Sequence, residues 1–167
     1  MADPRLADLP TDALVLLVGP SGAGKSTWAA ASFADSEVLS SDAFRELVAG
    51  DPADQSATGD AFKVLHQVAE ARLRRGVRTV VDATNLTEGA RRSLLRRAAH
   101  AGRPAVAVVF EVSLERCLRQ NATREDRSVP EAVIRRHHRA LRGTLERLPA
   151  EGYVGIVRVH DADIDAP

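Results

Sequence analysis

The stretch Ala13-Leu-Val-Leu-Leu-Val-Gly-Pro-Ser-Gly-Ala-Gly-Lys-Ser26 decides how this chain folds. Its first six residues form a continuous apolar run, the mark of a strand buried on both faces. Its last eight, Gly19 to Ser26, fit G-x-x-x-x-G-K-[ST] and lead into a helix. Strand, glycine-rich turn and helix in that order make a phosphate loop. The glycines let successive backbone N–H groups turn inward around phosphate oxygens, at the positive end of the helix. Lys25 is expected to reach the β- and γ-phosphates of a nucleoside triphosphate such as ATP, and Ser26 to hold Mg²⁺. Gly19, Ser21, Gly22, Ala23, Gly24, Lys25, Ser26 and Thr27 are the candidate cofactor-binding residues. Lys25 is one of only two lysines beside 21 arginines, so it stands out from the chain's compositional bias.

Apolar runs recur at Glu37–Leu39, Val77–Val81, Ala105–Phe110 and Val154–Val159. Helical spacing fills the intervals. One helix is predicted from Asp60 to Arg75, with Phe62, Leu65, Val68, Ala69 and Leu73 inward and Gly76 as the stop. A second is predicted from Glu88 to His100, begun by Thr87 and ended by Gly102-Arg-Pro104. Ser128-Val-Pro-Glu131 has the form of a capping box, opening a helix to about Leu148. Strands separated by such helices imply an α/β fold: five mostly parallel strands flanked by helices, with ligands beyond the strands' carboxyl ends.

At 167 residues the chain reads as one domain over 11–160, with a flexible arm at 1–10 and a loose tail at 161–167. No apolar run approaches the roughly 18–20 residues that span a membrane. MADPRLADLP has neither the basic start nor the apolar block of a secretory signal. The single Cys117 excludes an internal disulfide and a cysteine-based zinc site, so a cytoplasmic location is expected. Formal charge is zero, which provides no global field for nucleic acid or an anionic membrane.

A phosphate loop does not by itself name the acceptor of the phosphoryl group. Leu39-Ser-Ser-Asp-Ala-Phe-Arg45 speaks to that question. On a chain entering a helix at Asp42, Arg45 lies one turn on and faces the same side. Asp42 is then placed to accept the proton of an attacking hydroxyl, and Arg45 to clamp an anionic part of the acceptor. The plainer alternative is a capping aspartate with a surface ion pair. Asp54-Gln-Ser-Ala-Thr-Gly-Asp60 is a polar loop that reads equally as acceptor contact or as a cap by Thr58 or Asp60. Thr79-Val-Val-Asp-Ala-Thr-Asn85 ends a buried strand in a carboxylate; Asp82 is expected to orient Mg²⁺ or its waters. Thr84 and Asn85 point to the same edge, or form a turn into the next helix. Residues of about 114–130 are dense in arginine and suit a helical lid over the triphosphate, with Arg124 and Arg127 as its catalytic candidates. The adjacent His137 and His138 point to different sides of their helix and read as structural.

GPSGAGKST, VLSSDAFR, DQSATGDAF, TVVDATN and DRSVPEAVIRRH, in this order, resemble the kinase module of the 5′-polynucleotide kinases of nucleic-acid end healing and RNA repair. The likeness covers nearly the whole chain after the N-terminal arm. It implies transfer of the γ-phosphate of ATP or another nucleoside triphosphate to a 5′-hydroxyl end of RNA or DNA. Asp42 matches that family's general base, Arg45 its acceptor-phosphate arginine, and Arg124 and Arg127 its lid arginines. Two departures stand out: Gln120 occupies a place where the family often has arginine, and no phosphatase or ligase module is present, so a stand-alone kinase is expected. Neutral charge and 4% aromatics favour holding only a strand's end, with Phe44 and Val129 as an apolar wall for a base and Gln55 alongside. A small-molecule kinase, acting on a sugar, an antibiotic or a nucleotide-sugar, is the second reading of the same Asp–Arg pair. A nucleotide-dependent regulatory module is the third.

Overall fold

The computed structural model describes residues 6, 8–123 and 129–164. Arg124 and Arg127, with Ser128 and the centre of the expected lid, lie outside the described residues, as do most of the N-terminal arm and residues 165–167. Five strands, β1 (Leu14–Val18), β2 (Val38–Ser40), β3 (Thr79–Asp82), β4 (Ala105–Glu111) and β5 (Gly155–His160), form one sheet in the order β2-β3-β1-β4-β5. All four pairings are parallel. Helices α1 (Lys25–Ser32), α2 (Ser41–Ala49), α3 (Thr58–Arg74), α4 (Glu88–His100), α5 (Leu114–Ala122), α6 (Glu131–Arg147) and α7 (Asp161–Ile164) complete the order.

The period-two alternation of a strand explains why β1 reads as an unbroken apolar run. Val15 and Leu17 enter one core with Trp28, Phe110, Cys117 and Ile134. Leu14, Leu16 and Val18 enter the other with Leu65, Leu73, Leu94 and Leu141. Both faces are therefore covered, and the central strand is fully buried. Trp28 seats α1 on the sheet through edge contacts with Phe110 (5.5 Å between ring centres) and Phe33 (5.9 Å).

The boundaries shift by small amounts. α3 starts two residues earlier than the spacing implied, at Thr58. α4 has the expected limits, with Thr87 accepting from the Ala90 N–H at 3.3 Å. α6 opens at Glu131 after Pro130, which has no side-chain cap, so the helix begins two residues later than the capping-box reading placed it. The described residues of the expected arm and tail make contacts with the rest of the fold. Leu6 is buried in the first core and Leu9 packs against it, while the Leu9 and Pro10 carbonyls accept from Arg78. At the other end Asp161 accepts from the Ser113 N–H and Ile164 packs on the same core.

Candidate active site

Because the sheet is parallel, the carboxyl ends of β1, β2 and β3 open on one edge, and a cavity of about 230 Å³ lies there. Ser21, Gly22, Ala23, Gly24, Lys25 and Ser26 line it from the phosphate loop. Ser40, Ser41, Asp42 and Arg45 line it from the end of β2 and the start of α2. Asp82 and Thr84 close a third side, and Gln55, Thr58, Phe62 and His137 complete it.

The cradle depends on glycine at two positions. Gly22 and Gly24 have φ of 80° and 84°, the left-handed region that side-chain-bearing residues rarely adopt. A Cβ on Gly22 would lie 2.3 Å from the Cys117 carbonyl oxygen, so α5 packs directly against the loop. Gln120, one turn further along α5, lies against Gly24 on the same side. Gly19 and Thr27, both expected to bind cofactor, do not line the cavity. The Gly19 N–H donates to the Thr84 carbonyl at 3.0 Å, and Thr27 is exposed. Lys25 is buried and folds back on its own loop, donating to the Gly19 and Pro20 carbonyls at 3.1 and 2.7 Å.

Ser26 Oγ donates to Asp82 Oδ2 at 2.7 Å, which joins the end of the phosphate loop to the end of β3. A hydroxyl and a carboxylate in contact are hard oxygen donors of the kind Mg²⁺ takes, so the pair fits the metal role read from sequence. Asn85 is a different matter. It adopts φ 47°, is 3% exposed, and donates from Nδ2 to the Leu17 carbonyl at 2.8 Å. It therefore stitches the end of β1 to the turn after β3, beneath the site and outside the cavity. The Asn85 carbonyl accepts from Arg91, a fully buried guanidinium held in turn by both oxygens of Glu151.

The Asp–Arg segment lands where its spacing implied, with a change of roles. Ser40, not Asp42, is the N-cap of α2, accepting from the Ala43 N–H at 3.5 Å. Asp42 is thus released from capping, and its side chain, 37% exposed, faces the cavity. Arg45 is 4% exposed; it pairs with Asp42 and donates from Nε to the Pro52 carbonyl at 2.8 Å. In this arrangement Arg45 fixes the aspartate as well as lining the cavity. Asp54, rather than Thr58 or Asp60, caps the short turn before α3, and its bonds from Ser56 hold its carboxyl below the usual range. Gln55 and Thr58 line the cavity, and Thr58 Oγ1 is buried with no hydrogen-bond partner among the described residues.

The apolar wall differs from expectation. Phe44 and Phe62 both pack, partly buried, against the second core, Phe62 as its inward place on α3 implied; of the two, Phe62 also lines the cavity and Phe44 does not. Val129 is also away from the site. It sits in the first core, with its N–H and carbonyl both bonded to the Asn121 side chain at 2.9 Å. The histidine pair divides as adjacent helical positions must. His138 bonds the Val112 carbonyl at 3.1 Å and is structural. His137, also read as structural, instead lines the cavity, 3.2 Å from Ser21 Oγ. No motif marks it; only the register of α6 on the phosphate loop brings it there. Cys117, behind the loop, is fully buried, and burial pushes its thiol up to about 11.

Comparisons with known proteins bear on the fold. The family described as AAA domain matches residues 14–148. A chain of the Pnkp1/Rnl/Hen1 RNA repair complex superposes with a TM-score of 0.70 at 23% identity, over 87% of this chain and 49% of that one. The AvrRxo1-ORF1:-ORF2 complex with ATP gives 0.70 at 19% identity, over 89% and 54%. A sugar kinase from Janibacter sp. gives 0.62 at 21% identity, over 95% and 88%. This chain thus spans about half the length of the first two. No curated protein matches it in sequence. The fold is that of a P-loop kinase-like α/β protein. Among the described residues no helix is long and apolar enough to cross a membrane.

Proposed function

We propose that this chain, which belongs to the AAA domain family, is a kinase that moves the γ-phosphate of a nucleoside triphosphate to the 5′-hydroxyl end of a short RNA or DNA strand. The observation that carries the reading is the shared cavity. Asp42, released from capping and held by Arg45, faces the same space as the phosphate loop and the Ser26–Asp82 pair. A nucleotide-driven switch has no use for a carboxylate so placed; a phosphotransferase does.

In this mechanism the loop N–H groups and Lys25 hold the triphosphate. Mg²⁺, held at Ser26 and Asp82, would neutralise charge on its phosphate oxygens. Asp42 accepts the proton of the acceptor hydroxyl as that oxygen attacks phosphorus and the nucleoside diphosphate departs. Arg45 orients the carboxylate and adds positive charge where an anionic acceptor would lie. Phe62 provides the apolar surface for a base. Arg124 and Arg127 are proposed to bring lid charge to the transferred group.

The resemblance in the Asp–Arg, DATN and lid segments favours a polynucleotide acceptor. A small hydroxylated metabolite is the second reading, supported by the sugar kinase that this chain covers almost end to end. The test incubates the protein with γ-labelled ATP, Mg²⁺ and a short 5′-hydroxyl oligonucleotide, RNA and DNA in parallel, beside the same strands bearing a 5′-phosphate. Label confined to the 5′-hydroxyl strands is the expected result. ATP binding without label on any strand would move the acceptor to the small-molecule class.

A further inference from the structure

We propose that His137 is a further nucleotide-binding residue, one that the phosphate-loop motif does not contain: as an imidazolium it donates to a phosphate oxygen and ties α6 to the occupied loop. The proposal rests on the nucleotide half of the reading above and not on the identity of the acceptor.

Three observations carry it. His137 Nδ1 is 3.2 Å from Ser21 Oγ, a hydroxyl of the loop itself, across 116 residues of sequence. The ring lines the same cavity as Gly22, Gly24 and Lys25. It also stands on the second turn of α6, so its bond to Ser21 links that helix to the cradle.

The electrostatics fit a residue that changes state with the ligand. Burial, and then the positive charges of Arg136 on its own helix and Lys25 on α1, hold His137 below the usual imidazole range. Without nucleotide the ring is therefore neutral near pH 7, and one nitrogen serves Ser21. Among the described residues the other charges lining the cavity are Asp42, Arg45 and Asp82. A triphosphate brings several negative charges against Lys25 and the ring, which reverses the balance. Both ring nitrogens then become donors: one keeps Ser21 and the other faces the phosphates. Binding takes up the proton from solvent, and no covalent bond changes.

The test measures protons, not turnover. The non-hydrolysable β,γ-imido analogue of ATP, with Mg²⁺, is titrated calorimetrically near pH 7 in two buffers of different ionisation heat. Wild type is compared with His137→Asn, whose amide takes the place of Nδ1 and can keep a hydrogen bond to Ser21 but cannot carry the charge. Proton changes of the nucleotide itself cancel in the difference. Wild type is expected to take up about half to one proton more than the variant, and to bind roughly tenfold tighter. Nuclear magnetic resonance of the His137 ring in wild type, with and without the analogue, gives the same answer should the variant fold poorly; conversion from neutral to charged ring is expected. Equal proton uptake by the two proteins, or a ring that stays neutral with nucleotide bound, overturns the proposal even if affinity falls, because packing alone explains that loss. A protein that binds no nucleotide overturns this proposal and the functional reading together. Failure of the oligonucleotide assay alone touches only the acceptor.

Discussion

The two sides of the cavity are built in different ways. The phosphate loop is held by backbone: Gly19 bonds Thr84, Gly22 abuts the Cys117 carbonyl, and Lys25 bonds two carbonyls of its own loop. The facing side is assembled from side chains on α2, on the turn before α3, and on α3 itself. Asp42, Arg45 and the Pro52 carbonyl are joined there by hydrogen bonds, while Gln55 and Phe62 stand on separate turns. A backbone cradle recognises what all nucleoside triphosphates share. In the proposed reaction the side-chain wall selects the acceptor, and it is expected to tolerate change without disturbing the cradle.

The sharpest way to break that contrast is to put a methyl group into the cradle. Gly22→Ala needs a left-handed backbone that disfavours alanine and a Cβ 2.3 Å from the carbonyl oxygen of Cys117. Either the loop or α5 must move. Nucleotide binding is expected to disappear by calorimetry, with strain of about 1–3 kcal/mol appearing as a lower melting temperature. An alanine variant that binds ATP normally would show that the loop is more deformable than its contacts imply.

Asp42→Asn tests the other side. The change keeps size and the capacity to accept from Arg45, but it removes the base. Turnover should fall by about 10²–10⁴-fold with ATP affinity unchanged. Near-normal turnover would rule out Asp42 as the base. If the output of the protein were nucleotide-dependent regulation without transfer, this variant would leave it intact.

A smaller effect separates two aromatic residues that sequence reasoning confused. Phe62→Ala should raise the acceptor KM by roughly tenfold while sparing the ATP KM, since Phe62 lines the cavity. Both residues pack partly buried against the core, so each change should also lower stability, by less than the roughly 3–5 kcal/mol of a fully buried phenylalanine, but Phe44→Ala should leave both KM values unchanged. Steady-state kinetics beside thermal melts would sharpen the contrast, and exchanged phenotypes would reverse it.

That confusion shows where the sequence stops speaking. The cradle was legible because its function is local: eight consecutive residues, a strand before and a helix after, all constrained by backbone geometry. Asp82 was legible because a carboxylate ending a β-strand in a parallel sheet emerges at the edge where ligands bind, and Asp42 because it stands on the first turn of the helix that follows directly from β2 at that same edge. Phe44 was misplaced because its side depends on where α2 begins. The cap is Ser40, so the helix starts at Ser41 and turns Phe44 to the core while Asp42 and Arg45 face the cavity. Val129 was misplaced because Asn121, eight residues away, pulls it into the protein through two bonds. His137 was missed for the same kind of reason: adjacency to His138 says that one of the two differs, but only the packing of α6 on the loop says which.

The smallest prediction isolates that lesson in two helix caps of the same chemistry. Thr87 caps α4 away from the cavity, and Ser40 caps α2 at its rim. Thr87→Ala should cost about 1 kcal/mol of stability and leave both KM values and turnover as they are. Ser40→Ala should cost less in stability, because its bond to the Ala43 N–H is longer, 3.5 against 3.3 Å. It should nevertheless reduce turnover, because the Ser40 cap fixes the register that points Asp42 outward while Arg45 holds its carboxylate. If both variants lost stability alone, the Arg45 pair would suffice to aim Asp42, and the register of α2 would be set by its core face. If Ser40→Ala lost turnover in proportion greater than its melting temperature, the cap that frees Asp42 would be part of the catalytic arrangement.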